Sequence, residues 1–229
     1  MARVCPRRAA RVTSDLAGRR AKISPMAPIA LHITGDDKAD AVISRDPLAL
    51  LIGMVLDQQV TIEKAFSSPA DLLQRLGSKG PLDAAAIAAM DPERLAEIFR
   101  ERPALHRYPG SMAGRVQAVC RTVAEDYGNK ADNIWQGVDR GDELLARLRA
   151  LPGFGEQKAK IFAALLGKQL GVCPDGWQKV TTPYGKPGSS LSVADITDPE
   201  SLARVRATKK AMKAKAKKRA AASAANAGA

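Results

Sequence analysis

The sequence predicts an all-α protein, and three kinds of pattern lead to that prediction. Apolar residues recur at helical spacing along the middle of the chain, as in Leu144, Leu145 and Leu148. Asp-Pro pairs at 46–47 and 91–92 are typical helix starts, with Asp as the N-cap and Pro at the first helical position. No segment shows the strict alternation of apolar and polar residues that indicates a strand.

The chain divides by charge into a helical body and two basic tails. The net charge is +12, but residues 1–25 carry +6 and residues 204–229 carry +9, which leaves −3 for residues 26–203. We predict that residues 1–25 are a disordered arm, with Met26 as a possible alternative start, and that 26–203 form one compact helical domain. The Lys/Ala-rich tail 204–229 has good helix formers, whereas its like charges favour a mobile arm. Such tails raise non-specific affinity for DNA.

Several helices can be placed in order along the body. The first is predicted from Asp37, and the second from Pro47 is apolar nearly all round, which is typical of a buried helix. Further starts are predicted at Ser68-Pro69, Asp83, Asp91-Pro92, Ser111 as a cap, Asp142 and Thr197-Asp198-Pro199. His106 lies in a Pro-containing loop and is predicted to be a loop histidine rather than a catalytic base.

Two adjacent glutamines, Gln58 and Gln59, end the buried second helix. A buried amide needs several hydrogen-bond partners, so this pair is unusual at the end of the most apolar helix. Either the helix simply opens to solvent there, or a polar tip points into a cleft.

A tight apolar hairpin at 151–155, Leu-Pro-Gly-Phe-Gly, joins two predicted helices, and the second runs to about Leu170. This pattern indicates a helix-hairpin-helix motif, around which we expect the domain to be built. The free N–H groups and the dipole of the second helix suit a phosphate, and Lys158 and Lys160 add positive charge. A plain αα-corner that only packs is the alternative.

With these features together, the chain resembles the helix-hairpin-helix/Gly-Pro-Asp (HhH-GPD) superfamily of base-excision DNA glycosylases over roughly residues 46–184. Asp175 lies 18 residues after Gln157, where that family keeps its catalytic Asp. The resemblance implies that Asp175 is the catalytic carboxylate and that the DNA-binding residues are Gln59, Gln58, Pro152, Gly153, Phe154, Gly155, Gln157 and Lys158. Asp175 as a plain turn residue is the alternative, because Asp before Gly is common in turns. Trp177 is a base-pocket candidate that could equally pack in the core.

The differences from the family matter for mechanism. Bifunctional members carry a nucleophilic Lys where this chain has Gln157, so a Schiff-base step through that residue is excluded. Lys158 is one helical position away, about 100° around the axis, and we do not assign it as the nucleophile. Three scattered cysteines fit neither an iron–sulfur cluster nor a zinc site, so we expect no cofactor and no metal, and a reducing compartment.

Two functions remain open from the sequence. The first is a monofunctional glycosylase that hydrolyses the N-glycosidic bond of a damaged or mispaired base. The second is a non-catalytic DNA-binding protein derived from such an enzyme; a protein whose tails alone touch nucleic acid is a weaker third. In each of the first two cases we expect a monomer that binds double-stranded DNA, lies in the cytoplasm and on the nucleoid, and has no membrane segment.

Overall fold

The computed structural model describes residues 30–78 and 80–227, and this part of the chain is helical. Strand-like pairing within it is limited to an isolated bridge between Arg140 and Asp175. The all-α prediction is therefore confirmed. The α-helices of these residues are α1 (Asp37–Arg45), α2 (Pro47–Leu56), α3 (Ile62–Arg75), α4 (Ala84–Ala89), α5 (Pro92–Arg100), α6 (Pro109–Asp126), α7 (Gly141–Ala150), α8 (Glu156–Gln169), α9 (Trp177–Val180) and α10 (Pro199–Ala227), with 3-10 turns at Ala131–Ile134 and Val193–Asp195.

Helix α2 lies at the centre of the fold, as its apolar sequence predicts. All of its residues from Leu48 to Leu56 are buried, and it packs against α1, α3 and α6. Asp46 caps its start by accepting from the Leu48 N–H at 2.9 Å, and also accepts from the Leu82 N–H at 2.7 Å. Gly53 allows α3 to approach closely, because a Cβ there would lie 2.7 Å from the Phe66 ring.

Two predicted helix starts are wrong. Helix α3 begins at Ile62 with Thr61 as its N-cap, so Pro69 lies inside the helix rather than at its start. Its buried face of Ile62, Ala65, Phe66 and Leu72 extends the helix upstream of the proline. Helix α6 begins at Pro109, and its N-cap Tyr108 makes no side-chain capping bond, so Ser111 lies inside its first turn instead of capping it.

The hairpin joins α7 to α8 as predicted, and aromatic side chains hold it to the core. Phe154 is 6% exposed and meets Phe162 edge-on, with ring centroids 6.1 Å apart. Phe162 in turn meets Trp135 edge-on at 5.7 Å. The hairpin therefore rests on the interior while its backbone faces outward.

The C-terminal segment is helical where the sequence favoured a mobile arm. Helix α10 runs to Ala227, and Ser201, Leu202 and Val205 near its start are buried. The Ala and Lys content that permits a helix prevails over the repulsion of its charges. The basic arm 1–25 lies outside the described residues. Among those described, no helix is long and apolar enough to cross a membrane.

Candidate nucleic-acid interface

The backbone of the hairpin offers an open anion site at the start of α8. Gly153 has φ of 76°, and Gly155 is the N-cap of α8 with φ of −77° and ψ of 173°. A Cβ placed on either glycine would have nothing within 4 Å. The first intrahelical bond of α8 runs from the Ala159 N–H to the Gly155 carbonyl, and no side chain caps the helix. The N–H groups of residues 156–158 are therefore available to a phosphate.

The side chains around the hairpin are less uniformly suited to DNA than its backbone. Glu156 is exposed in the first turn of α8 and pairs with Lys160 at 2.7 Å. The hydrogen bond and charge of Lys160 lower the pKa of the Glu156 carboxyl, so a negative charge stays near the anion site. Gln157 is exposed, and its Nε2 donates to the Tyr184 hydroxyl at 2.9 Å. Phe154 contributes only its backbone to this surface, because its ring is in the core.

Lys158 binds the protein rather than pointing to solvent. Its ammonium donates to the Met54 carbonyl at 2.8 Å and to the Val55 carbonyl at 2.9 Å, at the C-terminal end of α2. Burial lowers the pKa of Lys158 from 10.5 to about 8, and the nearby charge of Asp57 opposes that shift. The DNA contact expected for Lys158 is thus replaced by a link between the hairpin and the end of α2.

The two glutamines after α2 differ sharply in their surroundings. Gln58 is held at both ends of its amide: Nε2 donates to the Val55 carbonyl at 2.9 Å, and Oε1 accepts from Arg115 at 2.6 Å. Gln59 is exposed and has φ of 56°, a left-handed conformation that non-glycine residues seldom adopt. Such backbone strain is common at functional sites. Gln59 is therefore the member of the pair whose side chain is open to solvent.

A cleft of about 220 Å³ lies beside Gln59, between the end of α2 and the start of α6. His106 forms part of its wall and is buried, with both ring nitrogens bonded to the backbone. Its Nδ1 accepts from the Tyr108 N–H at 3.0 Å, so Nε2 carries the proton and donates to the Gln58 carbonyl at 2.8 Å. His106 thus supports the turn formed by Gln58 and Gln59, which we call the glutamine tip, and it is not placed to act as a general base. The lining residues are Gln58, Gln59, His106, Tyr108, Ser111, Met112 and Arg115.

Asp175 is exposed on a tightly packed loop. Its N–H donates to the Asp139 carbonyl and its carbonyl accepts from the Gly141 N–H, each at 2.8 Å. Gly141 permits this approach, because a Cβ there would lie 2.6 Å from the Trp177 Cα. The backbone that carries the carboxylate is therefore fixed against the start of α7. Asp175 does not line the cleft beside Gln59.

Trp177 packs in the interior, as the core-packing alternative predicts, rather than lining a pocket for a base. It is 7% exposed, and its ring covers Gly167 so closely that a Cβ there would lie 2.5 Å from the ring. The indole anchors the Asp175 loop to α8 and offers no free face to a base.

Three residues of this surface were missed in the sequence. Tyr108 is 43% exposed, unusual for a large aromatic residue, and the Arg107 guanidinium lies 5.4 Å from its ring centroid. Arg115 projects from α6 to Gln58. The Arg-Tyr-Pro run at 107–109 could have indicated this surface, since an aromatic residue beside an arginine in a Pro-containing loop suits nucleic-acid binding.

The fold and this surface define a helix-hairpin-helix protein in which the uncapped N–H groups at the start of α8 are open to an anion. The family model described as HhH-GPD superfamily base excision DNA repair protein matches residues 52–225. The chain belongs to this superfamily, whose function is base excision repair of the glycosylase type on DNA. No curated protein and no solved structure matches the chain.

Proposed function

We propose that this protein is a monofunctional DNA glycosylase in which Asp175 is the catalytic carboxylate. The observation that carries the proposal is the position of Asp175, exposed on a loop whose backbone is held by two hydrogen bonds of 2.8 Å. Cleavage of the bond to a base builds positive charge on the sugar. A carboxylate on a backbone held in this way stabilises that charge, and it can orient or deprotonate the attacking water.

The residues at positions 157 and 158 argue for hydrolysis by water and against a lyase step. Gln157 has no amine that can form an imine with the sugar. The nearest amine in sequence, on Lys158, is bonded to two carbonyls of α2. To act as a nucleophile, Lys158 would have to break these two hydrogen bonds and reach the sugar. We therefore assign Lys158 the role of positioning the hairpin against α2.

The hairpin and the glutamine tip would hold the DNA around that carboxylate. The open N–H groups at the start of α8 suit a backbone phosphate, which positions the strand without reading its sequence. Gln59 and the Tyr108 ring flank the cleft, where an amide and an aromatic face can fill the space that a base vacates when it leaves the stack. Pro152 and Gly153 supply the turn that brings these N–H groups forward.

A non-catalytic DNA-binding protein is the second candidate, and one observation favours it. The cleft beside Gln59 is lined by the two glutamines after α2, by residues of α6 and by the loop before α6, and Asp175 is not among them. If the carboxylate borders no base-binding pocket in the complex with DNA, the hairpin and Gln59 would still bind duplex. The protein would then hydrolyse no N-glycosidic bond.

A panel of duplexes, each carrying one damaged or mispaired base, distinguishes the two candidates. The glycosylase proposal expects abasic sites on at least one duplex, detected as strand breaks after added alkali. Binding to every duplex without base release on any of them would support the non-catalytic protein instead.

The buried ammonium of Lys158 gives a pH-dependent prediction for stability. Its pKa is about 8 in the folded state and 10.5 ordinarily, so between these values the unfolded chain binds more protons. The free energy of unfolding of the wild type should therefore rise with pH across this window, relative to that of Lys158→Met. Urea unfolding of both proteins at several pH values measures the difference. A difference that stays constant would mean that the ammonium is solvated rather than buried.

A further inference from the structure

Helix α10 is docked on the body through its first turns. Ser201, Leu202 and Val205 are buried, and the Thr208 hydroxyl lies 3.2 Å from that of Ser190. From Lys209 onward the described side chains are exposed, from which we infer that the helix leaves the body there. At about 1.5 Å per residue, the part from Lys209 to Ala227 is about 27 Å long.

Two ion pairs mark where α10 leaves the body, and both lie near Gln58. Arg206 contacts the Glu63 carboxylate on the first turn of α3. The Lys209 ammonium lies 3.8 Å from the carboxylate of Asp57, the residue immediately before Gln58. The carboxylates are 17% and 12% exposed, whereas the Arg206 and Lys209 side chains are 60% and 43% exposed, so the pairs show where α10 lies and add little to its stability.

The exposed part of α10 is strongly basic on one side. Lys210, Lys213 and Lys217 are exposed and spaced three and four residues apart, which places them on one face of the helix. No acidic residue occurs in residues 204–229 to neutralise them. A row of lysines without acidic neighbours suits a line of phosphates.

We propose that α10 is a second DNA-binding surface, anchored beside Gln59 and continuing along the duplex backbone away from the cleft. This inference rests on the proposed DNA face around the hairpin and Gln59. DNA is the partner that the observations favour, because the basic face starts one residue after Lys209, which lies against Asp57 two residues before Gln59, and the superfamily acts on DNA. The helix thus lengthens the footprint on duplex and adds salt-sensitive affinity that the acidic body lacks.

Charge removal tests the surface. The double variant Lys213→Gln/Lys217→Gln is compared with the control Arg121→Gln/Lys130→Gln, which also removes two exposed charges. The control positions lie near the C-terminal end of α6, a helix about 27 Å long whose other end borders the cleft. For undamaged duplex measured by fluorescence anisotropy, the α10 variant should lower the slope of log affinity against log salt by about 1 to 2. Its affinity at moderate salt should fall about tenfold, while the control stays within about twofold of wild type. Equal slopes for the two variants would overturn the proposal.

Helix continuity is tested by Ala211→Pro, which changes no charge. Proline removes a hydrogen bond and clashes with the preceding turn, so it should break α10 just after its docked part. The thermal midpoint should stay near that of wild type, since the buried residues of α10 precede position 211. If α10 is an anchored surface, affinity should fall by several-fold. Unchanged affinity would mean that the lysines act as a mobile arm, which contradicts the proposal.

These binding measurements are independent of catalysis. Absence of base release from every lesion duplex would count against the glycosylase proposal and leave the α10 result intact. Normal base release together with equal salt slopes would count against α10 alone. Strong binding of the lysine face to an acidic protein, with no change in DNA affinity on its removal, would also overturn the assignment to DNA.

Discussion

Asp175→Asn should lower the rate of base release by on the order of a hundredfold or more on any lesion that the wild type processes. The amide keeps the size and much of the hydrogen bonding of the carboxylate but removes the charge that opposes the sugar cation. Affinity for duplex should stay or improve, because a negative group leaves the DNA-facing surface. Single-turnover base release and anisotropy on the same duplex separate these two effects.

The control for this variant is Asp126→Asn, which removes an exposed carboxylate at the end of α6. Its base release and affinity should match those of the wild type. Because the Asp175 backbone is held by Asp139 and Gly141 and not by its own side chain, Asp175→Asn should leave the thermal midpoint nearly unchanged. Equal base release by wild type and Asp175→Asn would remove Asp175 from the mechanism.

Gly155→Ala should weaken binding to duplex about tenfold without disturbing the fold. Alanine accepts the φ of −77° and ψ of 173° found there, and its Cβ meets nothing within 4 Å of the protein. The methyl group therefore interferes only with a close phosphate, and loss of one hydrogen bond to a charged group is worth about 1.5 to 3 kcal/mol. The loss should be similar for all duplex sequences, because phosphate contacts carry no base information.

Gly153→Ala should weaken binding as well, and it should also lower stability. Its φ of 76° is unfavourable for alanine, with a cost of about 1 kcal/mol. Gly77 and Gly80 provide matched controls that lie beyond the C-terminal end of α3. They are far from the proposed DNA face, because α3 is about 21 Å long and starts next to the glutamine tip. Gly77→Ala has the same φ problem, and Gly80→Ala has none. Both controls should bind duplex as wild type does; sequence-selective weakening by the hairpin variants would exclude a phosphate-positioning role.

The sequence predicted those parts of the molecule in which local chemistry decides the structure. The Asp46-Pro47 start, the buried α2 and the glycine hairpin followed from capping preferences, apolar content and backbone freedom. The start of α3 was missed because Ser68-Pro69 looks like a cap, whereas the buried face from Ile62 outweighs one proline inside the helix.

The parts that depend on distant contacts could not be predicted. Lys158 lies in a hairpin that suits DNA, yet its ammonium binds carbonyls 103 and 104 residues away in sequence. The stacking role considered for Trp177 fails because Gly167 and Gly141 leave space for it to pack inside. The ion pairs of α10 with Asp57 and Glu63 could not be predicted either, because these residues carry no local signal for such pairing.

Hydrolysis through Asp175 and water, without an amine nucleophile, is tested most directly on one lesion duplex incubated with wild-type protein in two parallel reactions, one with borohydride and one without. Without borohydride, we expect free base to appear and strands to break only after added alkali. With borohydride, we expect no protein–DNA adduct to be trapped, because Gln157 cannot form an imine and Lys158 is bonded to α2. A trapped adduct, or strand breaks without alkali, would show an amine nucleophile and contradict the monofunctional mechanism.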